Sequence, residues 1–234
     1  MYCIIQARMN STRLPNKIMK LIKGKPALYY LIDRLRKSKL LTNIIIATTI
    51  NEWDNPIVNF CKENNLEYFR GDENDVLDRY YQTALKYNCK DIMRLTSDCI
   101  LMDTNIVDNM IEHYLKNKLN YLIMKYSNNV VGAKGGFPDG FNPEIFSFEL
   151  LKYAKKNAKL KEEKEHVSIY LRKNLKNIKE YEIKLEKEYE NIDFKNFHLS
   201  LDTQKDFDLI NEILNYFNNN NFKLNDILEY LNNK

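Results

Sequence analysis

The sequence predicts an α/β fold, a mostly parallel sheet with helices on both faces plus a small antiparallel excursion. Short apolar, β-branched runs at 2–7, 43–49, 66–69 and 91–96 alternate with segments whose apolar residues recur at helical spacing. Strand, helix, strand, helix, strand in that order implies right-handed crossovers and parallel pairing. The strand runs are nearly continuous in apolar residues, as expected of strands covered on both faces. At 234 residues and 28.0 kDa, with 44% hydrophobic and 29% charged residues, the chain suits one domain, 1–234, with a sizeable core.

The first run, Tyr2 to Ala7, leads directly into a polar loop carrying Arg8, Ser11, Thr12, Arg13 and Lys17. In an open α/β sheet, ligands bind beyond the carboxyl ends of the strands, so three cations there offer a seat for a polyphosphate. Neither G-x-G-x-x-G nor G-x-x-x-x-G-K-[ST] occurs in the chain, so no glycine-rich cradle is available. Guanidinium and ammonium groups carry the phosphate charge in this reading. A basic loop is equally a solvated turn on these cations alone.

Gly24-Lys25-Pro26 breaks the chain, and Pro26 suits the first residue of a helix whose face is Leu28, Leu31, Ile32 and Leu35, ending near Ser38. A helix is predicted over 55–64. The acidic stretch Asp72 to Asp75 suits a helix start, where carboxylates meet free N–H groups and the dipole. Past the run at 91–96 comes Ser97-Asp98-Cys99. A carboxylate just beyond a strand end is where Mg²⁺ would be held, since that ion takes hard oxygen ligands, often one or two carboxylates plus substrate phosphates; an Asp in such a loop also serves as an ordinary turn residue. A helix follows over 105–118, with His113 as a partly exposed helix residue, and then a strand over 121–126.

Four of the six glycines fall between Gly132 and Gly140, marking a long irregular excursion around 127–146. A helix over 147–157, an antiparallel strand over 178–185 and a last core strand over 197–202 come next. Thr203 and Asp206 form a capping pair for a helix over 204–217, and a final helix spans 224–231.

The net charge of +4 comes from 36 basic and 32 acidic residues with no separate Lys/Arg block, so a nucleic-acid partner is not expected. Cys3, Cys61, Cys89 and Cys99 show neither C-x-x-C nor zinc-type spacing with His113, His166 or His198, and reduced thiols are expected. No signal peptide precedes the first strand and no apolar run approaches bilayer length, so a cytoplasmic protein with no membrane partner is expected.

The order of residues in the first loop adds a resemblance. Gln6, Ala7, Arg8, Ser11, Arg13, Leu14, Pro15 and Lys17 fill every fixed position of Q-A-R-x-x-S-x-R-L-P-x-K, which resembles the N-terminal signature of the cytidylyltransferase family that includes CMP-sialic acid and CMP-Kdo synthetases. The chain looks most similar to its spore-coat polysaccharide biosynthesis protein F branch. Four further segments are similar, in order. Gly71 to Tyr80 is similar to G-x-x-x-D-V-L-x-R-Y, beside the nucleotide base in relatives, which makes Arg70, Gly71 and Asp72 candidate base or ribose contacts. Arg94 to Asp103 looks like R-x-T-G-D-C-P-L-x-D, with Ser97 for a Gly and Ile100 for a Pro; its Asp, here Asp98, binds metal, and Arg94 and Thr96 fall to the nucleotide. Phe137, Pro138, Gly140, Glu144 and Phe146 match F-P-x-G-x-D-x-E-x-F, a segment facing the acceptor and the dimer partner, with Asn142 for an Asp and Pro143 for a Val. Glu165 and His166 match E-H-V-[ST]. Finally, Leu201 to Phe207 matches L-D-T-x-x-D-F, whose Asp, here Asp202, supplies a second metal carboxylate.

The resemblance implies a Rossmann-like fold of the nucleotide-diphospho-sugar transferase type and an enzyme moving a nucleoside monophosphate, with CTP as the expected donor, to a sugar acid or phosphorylated small molecule for surface polysaccharide or glycan synthesis. Arg8, Arg13, Lys17 and Asp98 are then the catalytic candidates. The nucleotide set is Gln6, Ala7, Arg8, Ser11, Arg13, Lys17, Arg70, Gly71, Asp72, Arg94 and Thr96. Asn142, Glu144, Glu165 and His166 form the acceptor set, Asp98 and Asp202 the Mg²⁺ ligands, and a homodimer is implied. Alternatives are GTP as donor, since nothing in the sequence reads a base edge, and a non-catalytic nucleotide-binding relative. A glycosyltransferase of related fold is a weaker rival, because D-C-I after Ser97 is not a D-x-D.

Overall fold

The computed structural model describes residues 1–124, 139–176, 179–181 and 198–234. In chain order the elements are β1 (Tyr2–Gln6), β2 (Leu21–Ile22), β3 (Lys25–Pro26), α1 (Ala27–Leu35), β4 (Asn43–Thr49), α2 (Asn55–Glu63), β5 (Glu67–Gly71) and α3 (Val76–Lys86). They continue as β6 (Asp91–Thr96), α4 (Thr104–Lys116), β7 (Tyr121–Met124), β8 (Glu144–Ser147), α5 (Phe148–Asn157), α6 (Lys161–Glu165), α7 (Ile169–Asn174), β9 (Lys179–Tyr181), α8 (Gln204–Tyr216) and α9 (Leu224–Asn232).

Seven strands form one sheet in the order β5-β4-β1-β6-β8-β7-β9. β1 lies at its centre, parallel to both β4 and β6, with Gln6 level with Ala47 on one side and Thr96 on the other. Three strand ends therefore reach the same rim. β8 alone runs against the rest: it pairs antiparallel with β6 and with β7, while β9 pairs parallel with β7.

Alternate side chains of the central strands feed two cores, as the period of two requires. Cys3, Ile5, Ile44, Ile46, Met93 and Leu95 face one side, against apolar residues of α1, α2, α4, α8 and α9. Ile4, Ile45, Ala47 and Ile92 face the other, against α3, α5 and α7. All four cysteines are buried, and burial pushes the Cys61 thiol up to about 12, so they pack as small apolar groups.

The predicted elements through β6 recur within about three residues. Three expectations are corrected. The chain break at Gly24 is the turn of a separate two-stranded antiparallel ribbon, β2–β3, and the helix begins at Ala27 with Pro26 outside it. The strand expected to be antiparallel over 178–185 is described only as Lys179–Tyr181, parallel to β7. The segment expected as a last core strand, 197–202, shows among its described residues only one bridge, His198 to Asp139; its backbone otherwise joins the loop after β6, Leu201 N donating to Asp98 O at 3.0 Å. Phe137, Pro138 and most of the excursion lie outside the described residues.

The bridge depends on Gly140. Its φ is +100°, and a Cβ there would lie 2.7 Å from the Leu199 carbonyl oxygen and 3.1 Å from Ser200 N. Both the left-handed backbone and the close approach exclude a side chain. Gly140→Ala is expected to lower stability by about 1–3 kcal/mol through strain and steric displacement, read as a shift in the urea midpoint. An unchanged midpoint would remove this close approach from the fold.

Candidate active site

The first loop is fastened from below, which leaves its cations to face outward. Met9, Leu14 and Ile18 are buried, Asn16 N donates to Met9 O at 3.1 Å, and Asn16 takes a left-handed φ of 58°. Beneath the loop, fully buried Asp54 accepts from Met9 N at 2.7 Å and from the Thr49 hydroxyl. Between these pins, Arg8, Ser11, Thr12, Arg13 and Lys17 line a cavity of about 350 Å³ at the strand-end rim.

Asp98 reaches that cavity from the end of β6, and Asp202 from the segment hydrogen-bonded to it. Lys17 Nζ lies between the two carboxylates, 3.3 Å from Asp98 Oδ2 and 2.9 Å from Asp202 Oδ1. Arg13 adds a 2.7 Å contact to Asp202 Oδ1, and the Thr96 hydroxyl donates to Asp98 Oδ1. The expected convergence of these acids, 104 residues apart, is thus met.

Burial by itself would raise the Asp202 pKa. The hydrogen bond from Lys17 and the charges of Lys17, Arg13 and His198 outweigh it and hold the carboxyl below the usual aspartate value. A depressed folded-state pKa adds stability that is complete above the unfolded value, about pH 4, and drains away as pH falls through the folded one. Asp202→Asn is therefore expected to flatten the fall in stability below about pH 4, measured by urea unfolding at stepped pH. An identical acid limb in the variant would sink the assignment.

Burial, with a smaller push from Asp98, also raises the Cys99 thiol to about 12. It is a protonated neighbour of Asp98, not a thiolate nucleophile.

Of the predicted nucleotide residues, Gln6, Ala7, Arg8, Ser11, Arg13, Lys17, Arg94 and Thr96 all line this cavity. Arg70, Gly71 and Asp72 do not. The Arg70 guanidinium is committed to Thr49 O, Asn51 O and Asn55 Oδ1, and the Asp72 carboxylate accepts from Asn74 N and Asp75 N as a turn cap. Gly71 instead makes room: a Cβ there would meet Arg79 Cγ at 3.0 Å. Arg79 is the cation of that segment that lines the cavity. It is 2% exposed, donates to Asp72 O at 2.6 Å, and leaves Nε without a partner. Its place in D-V-L-x-R-Y was the available signal, overshadowed by the more conspicuous Arg70.

Of the acceptor set, Glu165 and His166 line the cavity, while Asn142 is exposed outside it, with Oδ1 3.9 Å from Cys99 Sγ. Glu144 is corrected. It is 2% exposed on β8, level with Arg94 of β6, with Oε1 3.9 Å from Arg94 Nη1 and accepting from Arg172 Nη2. It sits behind the cavity wall and aims Arg94, whose Nη2 donates to Gln6 Oε1 at 3.3 Å. His198, read as a strand residue, instead sits between Asp139 and Asp202. No local signal marks that pairing.

A family model described as cytidylyltransferase matches residues 2–230. The chain belongs to the cytidylyltransferase family. It is an enzyme of nucleotidyl transfer by that membership, with the fold that its relatives share. It is 37% identical to an uncharacterized protein of Methanocaldococcus jannaschii, over 97% of this chain and 88% of that one. With the spore coat polysaccharide biosynthesis protein SpsF of Bacillus subtilis it shares 29% identity over 88% of this chain and 83% of that protein. Among solved structures, a cytidylyltransferase from Leptospira borgpetersenii superposes with a TM-score of 0.87 at 31% identity, covering 99% of this chain and 93% of that one. The CMP:2-keto-3-deoxy-manno-octonic acid synthetase complexed with CTP superposes at 0.66 and 15% identity, covering 92% and 98%, a likeness of fold. Among the described residues of this cytidylyltransferase, no helix is long and apolar enough to cross a membrane.

Proposed function

We propose that this cytidylyltransferase moves CMP from CTP to a sugar acid or a phosphorylated small molecule, releasing pyrophosphate, in the synthesis of a surface polysaccharide or glycan. An acceptor oxygen attacks the α-phosphorus and pyrophosphate leaves. Such chemistry rests mostly on positioning and charge stabilisation. The observation that carries the reading is the meeting of Asp98 and Asp202 at Lys17, on the same rim as Arg8 and Arg13. In this reading Arg8, Arg13 and Lys17 neutralise the triphosphate, Arg79 and Arg94 extend the cationic wall, and Glu165 and His166 meet the acceptor. The SpsF relative supports the polysaccharide context, and the CTP-bound neighbour supports the donor.

Two carboxylates converging on one cation, with a hydroxyl behind Asp98, form a hard-oxygen donor set that suits Mg²⁺. Among the described residues no group of three acidic, histidine or cysteine side chains is arranged to hold a metal; an ion on these two carboxylates would take its remaining ligands from phosphate oxygens and water. Asp98 and Asp202 would hold it, and when bound it supplies charge neutralisation on the phosphates. The proposal includes a cytoplasmic homodimer, with residues 1–234 acting as one unit.

The test is pyrophosphate release with each of the four nucleoside triphosphates and Mg²⁺, against a panel of sugar acids and sugar phosphates. Release with CTP that requires both acceptor and metal supports the reading. Release with GTP alone would overturn the donor assignment, and failure to bind any nucleoside triphosphate by calorimetry would overturn the whole reading.

A further inference from the structure

His198 touches both the Asp202 carboxylate and Asp139, at the far end of the excursion. Its Nε2 is 3.2 Å from Asp202 Oδ2, and its Nδ1 is 3.1 Å from Asp139 Oδ2. Each ring nitrogen of His198 thus faces a carboxylate oxygen, and the tautomer decides which of the two nitrogens donates. The two oxygens of Asp202 thereby face different ways: Oδ1 toward Lys17 and Arg13 in the cavity, Oδ2 toward His198. Asp206 completes the surroundings. Its Oδ2 lies 3.7 Å from His198 Nε2 and accepts from Asp202 N at 3.2 Å, fixing the backbone from which the Asp202 side chain projects.

Asp139 is held in turn by the backbone. Leu199 N donates to Asp139 O at 3.2 Å, and the missing Cβ of Gly140 allows this approach. The Asp139 carboxylate is therefore delivered beside the His198 ring by main-chain contacts.

We propose that His198 is a positioning residue that holds the Asp202 carboxylate in its productive orientation, itself held by Asp139, so that the 139–140 segment and the phosphate end of the cavity are mechanically coupled. The inference rests on the reading of Asp202 as a metal and phosphate-site carboxylate. Residues that orient a metal-site ligand change metal affinity or activity by about 10- to 100-fold when removed.

The experiment pairs kinetics with Mn²⁺ binding in the presence of CTP, followed by the electron paramagnetic resonance of the free ion. His198→Ala is expected to lower kcat and weaken Mn²⁺ binding by about 10- to 100-fold, with the KM for CTP changed far less. His198→Gln, which keeps an amide donor near Asp202, should recover part of both. Asp139→Ala should produce a smaller loss of the same kind, and nothing further when added to His198→Ala. Wild-type kcat together with wild-type Mn²⁺ affinity in His198→Ala would overturn the proposal, as would full additivity of the two variants. Failure of the metal reading shows separately, as Asp202→Asn binding Mn²⁺ like the wild type. Activity then decides: a double variant His198→Ala/Asp202→Asn no slower than Asp202→Asn supports positioning, and a slower one refutes it.

Discussion

Alanine at Asp98 is expected to lower turnover by about 10³-fold or more, several kcal/mol of transition-state charge stabilisation. Asp98 stands at the end of a central strand with its oxygens turned to Lys17 and to the Thr96 hydroxyl, and its side chain is 23% exposed. Its loss is expected to spare the fold, so the effect should fall on turnover while circular dichroism and the urea midpoint stay near wild type. Asp202→Ala should match it in turnover but also loosen Arg13 and Lys17, which both rest on Asp202 Oδ1. Steady-state pyrophosphate release measures both. Near-normal turnover in Asp98→Ala would remove that carboxylate from the machinery and, with it, the two-carboxylate metal site.

The largest effect on stability is expected at Glu144. Burial alone would lower the pKa values of Arg94 and Arg172, but the charge of Glu144 outweighs it and raises both. Two guanidinium groups, both partly buried, share this one buried carboxylate. Glu144→Ala leaves them facing each other without a counter-charge, and removing one partner of a buried ionic set destabilises by about 3–5 kcal/mol. Glu144→Gln keeps an acceptor and should lose less. Urea unfolding separates this from the role that the sequence suggests. A residue touching the acceptor would leave the midpoint unchanged and raise the acceptor KM, and that result would reject the buried-anchor assignment.

The legibility of the site follows the range of its contacts. Arg8, Arg13 and Lys17 could be read because one loop of ten residues, pinned by its own Met9, Leu14 and Ile18, presents them together. Asp98 and Asp202 could be paired through the resemblance, since each falls in a motif of the family, although the strand expected before Asp202 is not formed. Arg70 misled because charge was legible and direction was not: its guanidinium turns to the β4 exit, while Gly71 opens the way for Arg79. Glu144 and His198 depend on neighbours 28 and 59 residues away, and no spacing rule reaches that far. The strand pattern itself was legible through period and composition. The antiparallel insertion of β8 between β6 and β7 was not, since strand order in space is set by packing beyond the local chain.

The reversal of β8 has a consequence for how such an enzyme diversifies. β7 runs with the main sheet and ends at Met124, and β8 enters against it at Glu144, so both attachment points of the intervening segment stand on the ligand rim. Chain added between them neither crosses the sheet nor shifts its register, and loop closure grows more demanding only slowly with length. The length and composition of this stretch can therefore vary without disturbing the sheet or the cations and carboxylates at its strand ends.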